Sequence, residues 1–124
     1  MDFGLTSRQR LIKEAGREFM IGECDPAKTL ELVKNKEFPR EVYKKAGGTG
    51  YLASYYPKEL GGQRLPLLDH YLIMEEMIRY DNRIGITLSL GSIPAKPILR
   101  FGTEEQKKSI YLESQKERRS PLLL

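Results

Sequence analysis

Apolar side chains recur along most of this chain every third or fourth residue, the period of helices that bury one face. The first run places Ile12, Ala15 and Phe19 on one side, with Leu11 beside them. Thr6 and Gln9 stand ahead of it with capping-box spacing. The threonine oxygen is set to accept from the amide three residues on, and the glutamine to reach back. A helix over 7–23 is the expectation. Asp25-Pro26 then offers an N-cap and a first helical residue that needs no amide, opening a second helix that reaches about Lys34. Pro39 biases Phe38 away from the helical region and starts a third helix, which runs to about Ala46. Val42 faces inward there, and Gly47-Gly48 is the expected stop.

Between Gly50 and Pro66 the period is lost. Pro57, Gly61-Gly62 and Pro66 break it, yet Tyr51, Leu52, Tyr55 and Tyr56 supply apolar anchors, so a packed loop is predicted rather than a linker. The run Tyr51–Tyr56 has strand character but finds no partner strand. The strongest helix follows, over 67–80. Leu68, Leu72, Glu75 and Arg79 fall on successive turns, and Leu67, Tyr71, Met74 and Ile78 trace the adjoining face. Such a helix is apolar around much of its circumference and should be deeply buried. Asp81-Asn82 can cap the next helix, over 83–92, which runs from Ile84 through Gly85, Ile86, Thr87, Leu88 and Ser89 to Leu90 with few charges. It is expected to be central and least solvated. Pro94 and Pro97 kink or interrupt its continuation toward Phe101, and Gly102 closes it. Thr103 and Gln106 repeat the capping box and open a last, polar helix that ends near Arg119. The pattern as a whole is all-α, without internal repeats.

Composition narrows the function classes. A chain of 124 residues fits one domain. The net charge is +4, but lysines and arginines are interleaved with glutamates, which describes solvated helix faces and not a nucleic-acid stripe. The densest basic cluster, Lys116, Arg118 and Arg119, reads as a frayed terminal helix, with phosphate or anionic-membrane contact as the alternative. The single cysteine, Cys24, excludes an intrachain disulfide and points to a reducing, cytoplasmic setting. Its neighbours Glu23 and Asp25 raise a thiol pKa, which argues against a nucleophile. There is no secretory signal, and no apolar stretch approaches the ~20 residues of a membrane span.

Few residues invite catalysis. His70 is the only histidine; it follows Asp69 on a helix, where neighbours diverge by about 100°, so the two form no preset dyad and a structural or surface role is expected. Glu75-Glu76 diverge in the same way, and one should pair with Arg79. No metal-ligand spacing exists. Gly47-Gly48-Thr49-Gly50 follows a helix and lacks the lysine of a phosphate loop. From Ile84 to Gly102, small and hydroxylated residues (Gly85, Thr87, Ser89, Gly91, Ser92) alternate with isoleucine and leucine. That composition admits close approach of another helix or of a narrow apolar ligand, and both readings stay open.

Several ordered motifs carry a family resemblance. Met1-Asp2-Phe3-Gly4-Leu5-Thr6 with Gln9-Arg10, then Glu37-Phe38-Pro39-Arg40-Glu41, resemble the first and third helices of acyl-CoA dehydrogenases. Tyr56-Pro57-Lys58-Glu59-Leu60-Gly61-Gly62 is similar to that family's VPEEYGG loop, and Glu75-Glu76 to its EE helix. Thr87-Leu88-Ser89-Leu90 leads through Pro97-Ile98-Leu99 to Phe101-Gly102-Thr103-Glu104-Glu105-Gln106-Lys107, close to the family's FGTEEQK. The likeness is colinear over about 2–108. It implies a small multi-helix orthogonal bundle over 1–108, followed by a divergent helix and tail over 109–124.

The resemblance also implies a reaction: oxidation of acyl-CoA thioesters at the α,β carbons, with a glutamate base taking the α-proton and FAD accepting hydride from the β-carbon. In the family those groups belong to a flavin-binding β-barrel domain and a C-terminal helical bundle. This chain would contribute only a wall of the acyl pocket, through Gly85, Ile86, Ser89, Leu90 and Ile93. No catalytic, cofactor-binding or metal residue is assigned within it, and tight FAD binding by the chain alone is not expected. The family's TEPxAGSD segment has no counterpart, so the chain reads as truncated. Pro94, Lys96 and Arg100 stand where the family usually has apolar side chains, which should disturb this helix. A non-catalytic helical module remains the alternative, covering its apolar face with a partner or by self-association. So does a fragment of a related acyl-CoA oxidase or flavin monooxygenase.

Overall fold

Capping residues and prolines cut the chain into seven α-helices in the computed structural model, which describes residues 2–115. They are α1 (Ser7–Glu23), α2 (Pro26–Lys34), α3 (Arg40–Gly48), α4 (Leu67–Tyr80), α5 (Asn82–Ser92), α6 (Ala95–Phe101) and α7 (Glu104–Gln115). No strand occurs among the described residues. The predicted start of α1 is present in full: Gln9 N–H donates to Thr6 Oγ1 at 3.2 Å, and Thr6 N–H to Gln9 Oε1 at 3.0 Å. Thr103 and Gln106 repeat the device at 3.2 and 2.9 Å. Asp25 Oδ1 caps α2 through Ala27 N–H at 2.9 Å.

The fold is built around α4, which packs on α1 along one side and on α5 along another. Met20 from α1 and Cys24 at its C-cap, Ile73, Met74 and Met77 from α4, and Ile84 and Leu88 from α5 meet in one core with Ala46 and Leu52. Met20, Met77 and Leu88 are fully buried, each contributing roughly 1.5–3 kcal/mol of apolar transfer free energy. The segment from Gly50 to Pro66 is packed, as its apolar anchors imply. Leu52, Ala53, Ser54, Tyr56 and Leu60 are buried, and Lys58–Leu60 forms one 3-10 turn. Tyr56 and Ala53 make a second cluster with Ala95, against Tyr55, Leu99 and Ile110.

Four expectations are corrected. The inner face of α1 centres on Gly16 and Met20, with Ile12 and Phe19 partly buried; Ala15 and Leu11 are exposed. Gly16 lets α1 lie so near α4 that the buried strip is narrow, and this turns its flanks outward. Helix α3 runs two residues past Ala46 and ends at Gly48, with Gly47-Gly48 as its last helical residues. The chain turns away after the Thr49 cap at Gly50, whose φ of +83° is a left-handed conformation that glycine adopts without strain. On α4, Leu67, Leu68 and Tyr71 are 47%, 58% and 44% exposed, while Asp69, His70 and Glu76 are buried with partners. Helix α5 is not the least solvated helix: one face packs on α4 and the other is open. Where a chain needs a close helix crossing, small residues and satisfied polar groups go inside, and hydrophobicity alone misplaces the face.

The buried polar groups of α4 are tied to specific neighbours. Gln9 Nε2 donates to Asp69 Oδ1 at 3.2 Å, and the Arg8 guanidinium lies 3.4 Å from Oδ2 without hydrogen-bond geometry. Glu76 takes the Arg79 guanidinium at 3.2 Å and the Lys13 ammonium at 3.3 Å, while Glu75 meets Lys13 at 3.5 Å. Lys45 of α3 pairs with Glu23 of α1, which holds its ammonium pKa above the usual value. The boundary expected at 108 falls inside α7, and the cluster Lys116, Arg118, Arg119 lies outside the described residues.

Candidate functional site

Helix α5 begins at Asp81, whose Oδ1 accepts from Arg83 N–H at 3.0 Å and Ile84 N–H at 3.3 Å. The guanidinium of Arg83 closes on the same carboxylate at 3.2 Å. With its start fixed, the helix sorts its residues by period. Ile84, Gly85, Leu88, Gly91 and Ser92 are buried. Ile86, Leu90 and Ile93 follow at one- and two-turn spacing on the open side, 45%, 41% and 47% exposed, and Ser89 is partly buried at their edge. Four of the five residues singled out by sequence therefore share one outward stripe.

Gly85 does not share it. A Cβ built there would lie 2.5 Å from the Ile78 backbone nitrogen and Cα, so glycine is what allows α5 to cross α4 at this distance. Apart from the Ser89 hydroxyl at its edge the stripe is aliphatic, and it carries no titratable side chain. It can hold an apolar chain by contact and exclusion of water; it cannot move a proton. Thr87 is no donor to a ligand either, since its hydroxyl is given to Arg83 C=O at 2.9 Å.

Beneath the end of α5 lies a polar cluster that the sequence does not disclose. His70 is fully buried between Ser54 of the packed loop and Ser92 of α5, with Nδ1 2.8 Å from Ser54 Oγ and Nε2 3.2 Å from Ser92 Oγ. The Ser92 hydroxyl donates to Ser89 C=O at 2.8 Å, so its oxygen accepts from Nε2–H. Nδ1 then accepts from the Ser54 hydroxyl, which assigns the tautomer. Tyr55 completes the cluster: its hydroxyl donates to Ser92 C=O at 2.7 Å, and its ring meets the imidazole edge-on. Burial, and after it the Lys96 ammonium, push the His70 pKa down to about 4. Burial likewise drives the Tyr55 phenol far upward. The cluster is a neutral pin between loop, α4 and α5, the structural role expected of His70, and Asp69 faces elsewhere.

Cys24 is buried, with a thiol pKa raised to about 11 by burial first, then by Asp81 and Glu23. Asp81 takes the place the sequence suggested for Asp25, whose carboxylate is spent on capping α2. Among the described residues no group of histidine, cysteine, aspartate or glutamate is arranged to hold a metal ion. No described helix is long and apolar enough to cross a membrane.

Comparison with known proteins places this arrangement. Residues 6–114 match the family model for the acyl-CoA dehydrogenase N-terminal domain. The chain is 36% identical over 108 residues to a short-chain specific acyl-CoA dehydrogenase of Clostridium acetobutylicum, covering 86% of this chain and 28% of that protein. It is 37% identical over 109 residues to a 3-(aryl)acrylate reductase of Clostridium sporogenes, covering 87% and 28%. A solved structure described as the electron transferring flavoprotein of Acidaminococcus fermentans superposes with a TM-score of 0.83 at 35% identity, over 97% of this chain and 32% of that one. The chain thus spans under a third of the length of the relatives it matches. The match runs through all seven helices, the outward stripe of α5 included, and the chain belongs to the acyl-CoA dehydrogenase family, as its N-terminal helical domain.

Proposed function

We propose that this domain supplies one wall of the acyl pocket in a FAD-dependent enzyme acting on the α,β carbons of acyl-CoA. The supporting observation is the stripe of Ile86, Ser89, Leu90 and Ile93, aliphatic at its core, left open on a helix that is otherwise locked in place. An apolar wall fits the tail of a thioester, for which pockets are lined mainly by hydrophobic side chains. Gly85 serves the wall indirectly by setting how closely α5 lies on α4.

The stripe does not fit FAD. A diphosphate needs converging donors, and the nearby hydroxyls of Thr87 and Ser92 already donate to backbone carbonyls. The flavin site and the glutamate base are accordingly assigned to polypeptide outside this domain, and the chain alone is expected to be colourless and inactive. Relatives named as a dehydrogenase and as a reductase share the domain, which supports locating the direction of the reaction elsewhere. In this reading the domain selects the length and shape of the acyl chain.

A chimera tests it: residues 6–114 replace the matching part of the Clostridium acetobutylicum enzyme, and acyl-CoA-dependent dye reduction is followed across chain lengths. Leu90→Phe should move the preference to shorter chains and Leu90→Ala to longer ones. A folded, active chimera whose chain-length profile ignores both changes would sink the assignment.

A further inference from the structure

A second open feature lies where α6 faces the packed loop and the start of α4. Its floor and one wall are apolar, formed by Tyr55, Leu65 and Leu67. Its other wall is α6, which presents Lys96, Leu99 and Arg100 at positions i, i+3 and i+4, hence on one face. The two cations are one helical turn apart. Among the described residues neither has a carboxylate partner. Lys96 instead rests its ammonium 4.2 Å above the Tyr71 ring, and Tyr71 itself is 44% exposed. No acidic side chain lines the groove.

Lys96 and Arg100 were expected to disturb the helix. They do not: α6 is regular from Ala95 to Phe101. Both side chains line a groove that holds no acidic residue, and the rings of Tyr71 and Phe101 beneath Lys96 and Arg100 leave their charges without a counter-ion among the described residues. We infer that this groove docks an amphipathic helix of a partner polypeptide, with two acidic residues one turn apart facing Lys96 and Arg100 and an aliphatic side chain between them packed on Leu65, Leu67 and Leu99. A helix is the fitting form because no strand edge exists among the described residues to satisfy an extended backbone. Charge complementarity sets which helix is accepted, and the apolar floor supplies the contact area. This assignment uses the groove residues of α6, the packed loop and the start of α4, none of which belongs to the proposed acyl wall.

The experiment uses the 124-residue chain and synthetic capped helices of about 18 residues. One probe carries glutamates at i and i+4 beside a leucine stripe; a second replaces the glutamates with lysines, and a third replaces the leucines with alanines. Binding is read by fluorescence anisotropy, and location by amide and methyl shifts. The acidic probe should bind, shift Leu65, Leu67 and Leu99, and weaken with added salt. The lysine and alanine probes should bind at least about tenfold more weakly. Lys96→Glu with Arg100→Glu should reverse the preference toward the lysine probe, with circular dichroism checking that the variant is folded. Should the double variant unfold, the exposed Arg100→Glu alone must still weaken the acidic probe. The inference is overturned if the acidic probe does not bind, if charge reversal leaves its affinity unchanged, or if the chain binds phosphatidylglycerol vesicles through these residues and no peptide.

Discussion

Helices α4 and α5 are neighbours in sequence and in space; both leave apolar side chains in the open, Leu67, Leu68 and Tyr71 on α4 among them, but they differ in the charged groups they bury. Helix α4 buries polar groups: Asp69, His70 and Glu76 are inside, each held by a partner from another element or the next turn. Helix α5 exposes apolar ones, with Ile86, Leu90 and Ile93 all more than 40% accessible. The difference separates two tasks. Buried, paired polar groups specify a unique arrangement of the bundle, whereas an aliphatic stripe left in the open contributes little to the fold and is available to a ligand.

The sharpest break of this comparison is a cavity. Met77→Ala removes a fully buried side chain where α4 meets both neighbours and should cost roughly 2–5 kcal/mol in urea unfolding. Next comes acid. His70 is neutral in both states above its usual 6.5; below that, the unfolded chain takes up the proton first, while the folded chain resists until about 4. Stability is therefore complete above about pH 6.5 and falls through the window down to pH 4, by up to about 3 kcal/mol. His70→Gln should flatten that slope whatever it does to the plateau, which urea midpoints at several pH values would read. Gly85→Ala should lower stability by about 1–3 kcal/mol, although alanine is the better helix former by about 1 kcal/mol, because the added carbon meets the Ile78 backbone. The smallest effect is expected at Leu90→Ala, within about 0.5 kcal/mol of the parent chain. A loss at Leu90 comparable with that at Met77 would erase the distinction between the two helices.

Element boundaries were legible because their signals are local. Two capping boxes, the Asp25-Pro26 start, the Asp81 cap and the prolines around α6 each act within a few residues. Facing was less legible. Periodicity put Ala15 inward and made α5 central, since it scores side chains by hydrophobicity and cannot see that Gly16 and Gly85 are where helices touch. The polar pin around His70 was out of reach for a related reason: Ser54, His70 and Ser92 are joined by the fold and by nothing in their spacing. Of the candidate wall, the residues Ile86, Leu90 and Ile93 came from resemblance, and their common exposed face came from the structure. Lys96 and Arg100 were noted as departures, and the structure sets them in one groove with Leu65 and Leu67, which their spacing does not disclose.

The central claim is that the outward face of α5, and not its inward face, meets the acyl chain. Paramagnetic relaxation measures this directly: an acyl-CoA bearing a nitroxide near the end of its acyl chain is bound to the chimera, and methyl signals of the domain are recorded. The account predicts strong broadening of the Ile86, Leu90 and Ile93 methyls, with those of Ile84 and Leu88 on the buried face much less affected. Equal broadening of both faces, or none at Ile86, Leu90 and Ile93, would contradict it.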